Sequence, residues 1–169
     1  MEGYIMFSFL QKYNTVNREN HLKAYLSGEV IPIEKVPDEV FSKKVLGDGL
    51  AIVPTDNIVK SPANAEVSIV MLESKHACGL HLENGMELLI HIGLDTVDMN
   101  GDGFQLWIEE GSKVKVGDPL IQFDSDKIKA AGHSPITILV ITEQPPMTNI
   151  TMYTDLIAKV SETCIMSIE

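Results

Sequence analysis

Closely spaced turn signals constrain the fold of this chain more than any other feature of its sequence. From Ser27 onward, clusters of Gly, Pro, Asn and Asp interrupt short apolar or alternating runs. Such runs are typical of antiparallel strands, and many of them in succession predict a β-sandwich or barrel. We therefore predict an all-β chain, an antiparallel β-sandwich with strands at residues 50–53, 66–72, 77–82, 87–92, 120–123 and 135–141.

Helix is expected to be sparse, with one or two turns at residues 125–131 and at residues 154–160. Residues 1–20 combine the apolar run YIMFSFL with the polar stretch NTVNREN, which predicts an N-terminal arm ahead of the folded part. Residues 21–169 have the length of one globular domain, and 44% of the whole chain is hydrophobic, enough for a sizeable core. We predict a single domain after the arm.

The strongest local signal is Asn84-Gly85, which lies between two apolar runs and predicts a β-hairpin. If these two residues form the loop, His76 lies opposite Gly93, and Cys78 lies opposite His91. Side chains alternate between faces along a strand, so both histidines then share one face as diagonal neighbours, with β-carbons about 5.5–8 Å apart. The hairpin is therefore a candidate active site.

The same register makes further predictions about the surroundings of the two histidines. Leu80, Leu82 and Leu89 are expected to share the histidine face and to shield it from water. His81 is expected to project from the other face into solvent. A loop of three residues instead of two would send the two active-site histidines to opposite faces, because side chains alternate along each strand.

Two converging histidines are compatible with more than one kind of site. A lone histidine on an apolar strand is usually a partly buried structural residue. Paired histidines also bind zinc in hydrolases, but such a site needs a third protein ligand, and neither H-E-x-x-H nor H-x-H occurs in the chain. Zinc held by His76, His91 and a carboxylate of a partner protein stays an alternative. For the chain alone we expect no metal and no cofactor.

The charge balance limits the class of partner. Thirteen basic and twenty-four acidic residues give a formal net charge of −11, which argues against nucleic acid and favours a positively charged protein surface. A membrane-spanning helix needs about 20 apolar residues, and no apolar run in the sequence approaches that length. We therefore expect a cytoplasmic protein that is not an integral membrane protein. Cys78 and Cys164 form no metal-binding pattern and are expected to be core residues.

Two other motifs suggest chemistry that their context does not support. Residues 98–109, DMNGDGFQLWIE, fit the ligand spacing of a calcium-binding EF-hand loop, but a predicted strand precedes them, so we interpret residues 100–103 as a glycine-rich turn. Residues 109–130 resemble the hairpin of lipoyl and biotinyl carrier domains, with Lys127 as the modified lysine. Because no second half-domain follows Lys127, we interpret KVKVGDPLI as a sign of architecture.

A partner-binding surface is predicted around residues 36–48, VPDEVFSKKVLGD. Val40 and Phe41 are flanked by charged residues, so they either pack in the core or form an exposed anchor for a partner, as aromatic residues often do. Acidic side chains are expected at the rim of the same face, where they would attract a basic partner. These are Asp38, Glu39, Asp95 and Asp98.

Seven segments within about residues 26–141 form an ordered set: LSGEV (26–30), VPDEVFSKKVLGDGLAIVPTD (36–56), SPANAEV (61–67), ESKHA (73–77), HIGLDTV (91–97), GDGF (101–104) and EEGSKVKVGDPLI (109–121). Each segment alone is weak evidence, whereas the ordered set is specific. On this set the chain resembles the glucose-type enzyme IIA of the bacterial phosphoenolpyruvate-dependent sugar phosphotransferase system.

The resemblance implies an antiparallel β-sandwich of the barrel-sandwich type with a shallow apolar depression. It implies that His91 accepts a phosphoryl group from the phosphohistidine of the carrier HPr and passes it to a cysteine on the IIB domain of a sugar permease. His76 matches the second active-site histidine of that family. Ser74 stands where the family usually has threonine, and its hydroxyl would orient His76.

The residue types fit this chemistry. An imidazole with an ordinary pKa near 6.5 is mostly neutral at neutral pH, so His91 offers a nucleophilic nitrogen without an adjacent base. Phosphoryl transfer between two imidazoles needs in-line positioning and charge stabilisation, and His76 can donate a hydrogen bond to the phosphoryl oxygens. The chain is thus expected to be a phosphotransferase component with a phosphohistidine intermediate.

A regulatory role is the alternative function. In that case the same face would bind transporters or enzymes according to its phosphorylation state, and zinc would be held by His76 and His91 only in such a complex. The sequence alone does not separate this role from phosphoryl transfer.

Overall fold

The computed structural model describes residues 21–169, so the predicted arm at residues 1–20 lies outside the described residues. Within residues 21–169 there are fourteen strands, two short α-helices and two 3-10 helices. The helices are α1 (Glu39–Ser42) and α2 (Ser125–Ala130), and the 3-10 helices are Ile33–Lys35 and Thr96–Met99. The strands are β1 (His21–Lys23), β2 (Gly28–Pro32), β3 (Gly49–Pro54), β4 (Ile58–Lys60), β5 (Ala65–Val70), β6 (Ala77–Leu82), β7 (Glu87–Ile92), β8 (Phe104–Leu106), β9 (Lys113–Val114), β10 (Pro119–Phe123), β11 (Thr137–Glu143), β12 (Ile150–Met152), β13 (Leu156–Ala158) and β14 (Cys164–Ile168).

These strands form three antiparallel sheets. The large sheet has eight strands in the order β13-β2-β3-β11-β7-β6-β5-β9, and two sheets of three strands have the orders β1-β14-β12 and β4-β10-β8. The strands predicted from the sequence coincide with β3, β5, β6, β7, β10 and β11 to within two residues at each end. The prediction of an all-β antiparallel chain with little helix is confirmed.

The main apolar core lies between the large sheet and the two small ones. Leu80 and Ile90 of the large sheet, Phe123 of one small sheet and Met166 of the other are each 1% exposed or less. All four belong to one contiguous cluster of buried side chains. Sheets packed face to face on a shared core form a β-sandwich, as the sequence predicts.

A second apolar cluster lies on the other face of the large sheet. The segment that links β2 to β3 folds over this face and buries Ile33, Val36 and Phe41 against sheet residues such as Ile138 and Val140. The Asp38 side chain caps the start of α1 by accepting a hydrogen bond from the Val40 backbone N–H, at 2.9 Å. The covering segment therefore places α1 on the outer face of the large sheet.

The β6–β7 hairpin has a different register from the predicted one. His81 pairs with Glu87 and Ala77 pairs with His91, so the loop comprises residues 83–85 and not Asn84-Gly85 alone. The Asn84 side chain caps the loop by accepting a hydrogen bond from the Met86 N–H, at 3.0 Å. The predicted pairings of His76 with Gly93 and of Cys78 with His91 are therefore wrong.

The register change reassigns the faces of the hairpin. Leu80 and Leu82 were predicted beside the histidines, but both lie in the main core on the opposite face from His91. Cys78 is also in that core, as expected for a small apolar residue, and burial raises the pKa of its thiol to about 12. The predicted face of His81 is wrong, because His81 shares the outer face with His91. Its side chain is exposed, as predicted, and contacts Glu87.

The two helix predictions have opposite outcomes. Residues 125–131 contain α2, whose first turn is capped by the Asp124 carboxylate, as the local Asp-Ser-Asp sequence favours. Residues 154–160 contain β13 instead, which adds to the edge of the large sheet beside β2. Pairing with β2 outweighs the weak local helix preference of that segment. In the described part of the chain, no helix is both long enough and apolar enough to cross a membrane.

Candidate active site

His91 lies near the end of β7, on the outer face of the large sheet, and is half-buried. Its Nδ1 atom lies 2.9 Å from the carbonyl oxygen of Gly93. Because a carbonyl only accepts hydrogen bonds, Nδ1 carries the proton and donates it. Gly93 adopts φ of 78°, a left-handed conformation that glycine tolerates without strain. The free electron pair of the neutral ring is therefore on Nε2.

His76 meets His91 from the turn that precedes β6. The two imidazole rings are 4.6 Å apart between centroids and nearly perpendicular, at 87°. Because His76 lies before the first paired residue of β6, and Lys75 has a left-handed φ of 56°, the alternation of side chains along the strand does not apply to it. The predicted convergence of the histidines is present, but the turn causes it, not the register.

Ser74 contacts the second histidine, as the family resemblance implies. The Ser74 Oγ atom lies 2.8 Å from Nδ1 of His76, and His76 is only 6% exposed. A serine hydroxyl is both donor and acceptor, so it can hold His76 in either neutral tautomer. When the hydroxyl donates to Nδ1, the proton of His76 is on Nε2.

Apolar side chains surround His91, although they differ from the predicted ones. The ring of Phe41 lies 5.0 Å from the ring of His91, tilted by 59°. Ala77 and Ile138 flank His91 on the neighbouring strands β6 and β11. Leu89, on the same strand and face, packs against the second apolar cluster and is the one predicted leucine that lies beside the site. These apolar side chains therefore shield several sides of the His91 ring from water.

This burial keeps both imidazoles neutral. Burial, and then the neighbouring His76 ring, lower the pKa of His91 from 6.5 to about 4, while the Gly93 carbonyl and the Asp38 carboxylate oppose the shift. Burial also lowers the pKa of His76. The uncharged form is the nucleophilic form of an imidazole. At neutral pH the His91 ring is therefore ready to attack an electrophile.

The low pKa of His91 predicts a loss of stability in acid. The His91 ring binds a proton below about pH 6.5 in the unfolded chain, but only below about pH 4 in the folded chain. The free energy of unfolding therefore falls as the pH drops through this window. A shift of this size predicts a loss of about 2 kcal/mol between pH 7 and pH 4.5. Urea unfolding of the wild type and of His91→Asn at both pH values measures this loss. Equal losses of stability in the two proteins would show that the pKa of His91 is not lowered in the folded chain.

The predicted partner-binding residues are spread over two segments next to the histidines. Val40 and Glu39 are exposed on α1, and Asp38 caps that helix and is near enough to act on the pKa of His91. Asp95 and Asp98 are exposed in and before the 3-10 helix Thr96–Met99, which follows His91 along the chain. Of the two alternatives for Phe41, packing in the core is the one observed, because Phe41 is 5% exposed and packs on His91.

Two exposed apolar residues near the site were not singled out from the sequence. Leu72, just before the turn with Ser74, is 70% exposed, and Val97, in the 3-10 helix after His91, is 53% exposed. Val40, on α1, is 48% exposed. Each of the three segments that carry site residues thus has one of these exposed apolar side chains. Isolated exposed apolar residues are common, so these three are distinguished only by their position in the segments that carry the site residues.

Metal and carrier chemistry find no support in the described residues. Within residues 21–169, no three His, Cys, Asp or Glu side chains are placed to hold a metal ion. The calcium-like segment forms a 3-10 helix, a turn at residues 100–103 and β8, without the flanking helices of an EF-hand. Lys127 lies within α2, not on a hairpin, and its Nζ is 3.0 Å from Asp102.

Comparison with known proteins gives the family. The model of the phosphoenolpyruvate-dependent sugar phosphotransferase system family, EIIA 1, matches residues 20–147. The chain belongs to this family. Among solved structures, the glucose permease IIA from Mycoplasma capricolum matches with a TM-score of 0.80 and 28% sequence identity, over 88% of this chain and 94% of that chain. The resemblance stated from the sequence segments is therefore confirmed, including its glucose-type character.

Family membership gives this enzyme IIA a general activity. It is a phosphocarrier, a phosphotransferase component of the sugar phosphotransferase system. The paired histidines of this enzyme IIA lie inside the matched range, on β7 and in the turn before β6. One of these two imidazoles is therefore the candidate carrier of the phosphoryl group.

Proposed function

We propose that Nε2 of His91 accepts a phosphoryl group from the phosphohistidine of HPr and passes it to a cysteine on a IIB domain. The observation that carries the proposal is the pairing of the two imidazoles, because the hydrogen bond to Gly93 leaves Nε2 of His91 free beside the His76 ring. Two adjacent neutral imidazoles form a site that can bond to phosphorus and hold its oxygens.

The transfer consists of two balanced steps at His91. In the first, the electron pair of Nε2 forms a bond to phosphorus while the bond between phosphorus and the HPr imidazole breaks, and the electron pair of that bond returns to HPr. In the second, the thiolate of the IIB cysteine forms a bond to phosphorus while the bond to Nε2 of His91 breaks. The electron pair of that bond returns to Nε2, and His91, with Nδ1 still protonated, leaves as a neutral imidazole. Both steps are in-line displacements that depend on position more than on acid–base chemistry.

His76 is assigned the role of holding the phosphoryl oxygens. If the Ser74 hydroxyl donates to Nδ1 of His76, the Nε2–H of His76 is free to donate to an oxygen of the phosphoryl group on His91. Such charge-assisted hydrogen bonds are the stronger class, more so where water is excluded. Ser74 thus acts through His76, by selecting the tautomer that donates.

The surface around the histidines suits partners that exchange at one face. Val40, Leu72 and Val97 offer apolar contact area, and the buried ring of Phe41 packs against His91. An apolar centre with a polar rim is the usual anatomy of a protein interface. We propose that HPr and the IIB domain bind this face in turn, since each must bring its reacting atom to the same nitrogen.

The acidic rim predicts that association with HPr slows as salt is added. Glu39 and Asp98 are exposed beside the site, and the chain carries a net charge of −11. Between 50 and 500 mM salt, stopped-flow measurement of phosphoryl transfer at limiting HPr is expected to show the second-order rate constant fall by about tenfold. The double variant Glu39→Gln/Asp98→Asn is expected to lower the rate at low salt and to flatten the slope.

The control for the salt experiment is Glu162→Gln, which removes one charge in the turn before β14, in a small sheet on the other side of the main core. It is expected to leave the slope nearly unchanged. A wild-type rate that does not depend on salt would show that the rim carboxylates have no part in association.

The proposed function is tested by following label from phosphoenolpyruvate. The protein is incubated with labelled phosphoenolpyruvate, enzyme I and HPr, and then with a IIB domain of a glucose-type permease. We expect acid-labile label on the chain that depends on HPr and moves to the IIB domain. Label that never leaves the chain would overturn onward transfer, and folded protein that takes up no label would overturn the whole proposal.

A further inference from the structure

The turn at residues 100–103, which gave the chain its calcium-like motif, touches the turn that carries His76. A Cβ atom at Gly101 would lie 2.6 Å from the carbonyl oxygen of Glu73, and carbons of the Lys75 side chain lie 3.4 and 3.6 Å from the same point. Contacts under 3.0 Å force a neighbour to move. Gly101 therefore lies directly against the backbone of the His76 turn.

The backbone of the His76 turn determines where the imidazole of His76 lies. The Lys75 N–H donates to the Met71 carbonyl at 2.8 Å, and Lys75 has the left-handed φ of 56°. Ser74 and His76, on either side of Lys75, are joined by their side chains at 2.8 Å. Because this turn is compact, a displacement of the Glu73 carbonyl moves Ser74 and His76 together.

The opposite side of the Gly101 turn is held in place. The Lys127 ammonium lies 3.0 Å from the Asp102 carboxylate, and the Asp124 N–H donates to the Gly103 carbonyl at 2.8 Å. Both contacts tie the turn to the start of α2. A side chain added at Gly101 is therefore relieved mainly by movement of the His76 turn.

The segment that ends at Gly101 also holds the other imidazole. It begins at Gly93, whose carbonyl accepts from Nδ1 of His91, and the Thr96 hydroxyl donates to the Ile92 carbonyl just before it. Residues 93–101 thus contact the His91 ring at one end and the His76 turn at the other. One short segment relates the positions of the two rings.

We propose that Gly101 is a positioning residue, which sets the placement of His76 against His91 through the carbonyl of Glu73. This inference rests on the proposed role of His76 in phosphoryl transfer. It gives the DMNGDGF motif a function that is unrelated to calcium, because glycine at position 101 is required by a close backbone approach and not by a ligand.

The test compares alanine at two glycines of the same turn. Gly101 and Gly103 have nearly the same φ, 84° and 85°, so alanine causes similar backbone strain at both. At Gly103, however, the added Cβ meets side-chain carbons alone, those of Lys127 at 3.4 Å and of Asp124 at 3.7 Å, and no backbone atom. We expect Gly101→Ala to slow transfer from phospho-His91 to the IIB domain by about tenfold or more, as a small misplacement of a transfer group does. Gly103→Ala is expected to stay within about twofold of the wild type.

A second pair of variants covers the case in which Gly101→Ala does not fold. Lys75→Val displaces the same turn from within, because a β-branched residue disfavours the left-handed region, whereas Lys75→Asn tolerates it. We expect Lys75→Val to slow onward transfer as Gly101→Ala does, and Lys75→Asn to resemble the wild type. Equal rates for the two Lys75 variants would overturn the proposal.

Two further measurements separate positioning from a general loss of structure. The ¹⁵N chemical shifts of the His76 ring report its tautomer without any transfer reaction, and we expect them to change in Gly101→Ala and not in Gly103→Ala. In the double variant Gly101→Ala/His76→Gln, we expect onward transfer no slower than in His76→Gln alone, because both changes act through one side chain. Additive losses, or unchanged His76 shifts, would overturn the proposal.

The same variants distinguish a failure of this inference from a failure of the proposed function. If His76→Gln slows onward transfer but Gly101→Ala behaves like Gly103→Ala, the positioning role is wrong and the function of His76 stands. If His76→Gln has no effect on transfer, the proposed role of His76 is wrong, and a positioning role in transfer is refuted with it.

Discussion

Replacing His91 with alanine is expected to abolish phosphoryl acceptance from phospho-HPr. The substitution removes Nε2, the nitrogen that the hydrogen bond to Gly93 leaves free, and the neighbouring His76 has its Nδ1 engaged with Ser74. Loss of the nucleophile in covalent catalysis typically costs a factor of about 10⁴ or more. Acid-labile label on the chain after incubation with labelled phosphoenolpyruvate, enzyme I and HPr measures the effect.

The matched control is His81→Ala. His81 also lies on the outer face of β6 and β7, but it is exposed and its ring contacts Glu87 instead of another imidazole. We expect this variant to accept label at the wild-type rate. Circular dichroism at neutral pH checks that both variants are folded. Full labelling of folded His91→Ala would show that another residue carries the phosphoryl group.

Replacing His76 with glutamine is expected to impair onward transfer more than acceptance. A phosphoryl group that arrives on HPr is already oriented by HPr, whereas transfer to the IIB cysteine starts from phospho-His91, where we assign its orientation to His76. Glutamine keeps an amide donor, but it lacks the ring that Ser74 holds with its Nε2–H free for the phosphoryl oxygens. We expect acceptance within about tenfold of the wild type and onward transfer slower by a further factor of about 10².

The two half-reactions are separated by rapid quench. Acceptance is followed by mixing His76→Gln with phospho-HPr, and onward transfer by mixing the purified phosphorylated variant with a IIB domain. Ser74→Ala is the companion variant, expected to show the same direction of imbalance with a smaller size, because it removes only the group that selects the His76 tautomer. Equal losses in the two half-reactions would contradict the assignment of His76.

Much of the fold could be predicted because strand signals are local. Turn clusters and alternation of side chains identify β6 and β7 at their exact bounds, and the cap Asp124 identifies α2. Helix α1 was not predicted, since it spans only the four residues Glu39–Ser42 and its stability comes from Phe41 packed on the large sheet. Strand β13 was predicted as helix, because only its pairing with β2 makes it a strand.

At the candidate site the predicted convergence of the two histidines is present although the predicted register is wrong. The sequence predicts that His76 and His91 converge through a two-residue loop, but the loop has three residues, and paired strand positions alone would separate the two rings. They meet because His76 belongs to a turn with a left-handed residue, Lys75, and no alternation rule describes that turn. The family segments ESKHA and HIGLDTV identify both histidines without depending on the register.

The burial of side chains around the site also lay beyond the sequence. The sequence predicts Leu80 and Leu82 as apolar neighbours of His91, whereas the structure has Phe41 and Ile138 there. The difference arises because the register decides which face each leucine occupies. The low pKa of His91 follows from these neighbours and from His76, not from any motif. Likewise, the contact of Gly101 with Glu73 joins residues distant along the chain, so it is visible only in three dimensions.

The most direct test of the account is the position of the phosphoryl group on the imidazole ring. The wild-type chain, labelled with ¹⁵N in histidine, is phosphorylated through enzyme I and HPr and its ring nitrogens are observed by NMR. We predict coupling between phosphorus and Nε2 of His91, with Nδ1 still protonated and bonded to Gly93. Coupling to Nδ1 of His91, or to a nitrogen of any other histidine, would contradict the central claim.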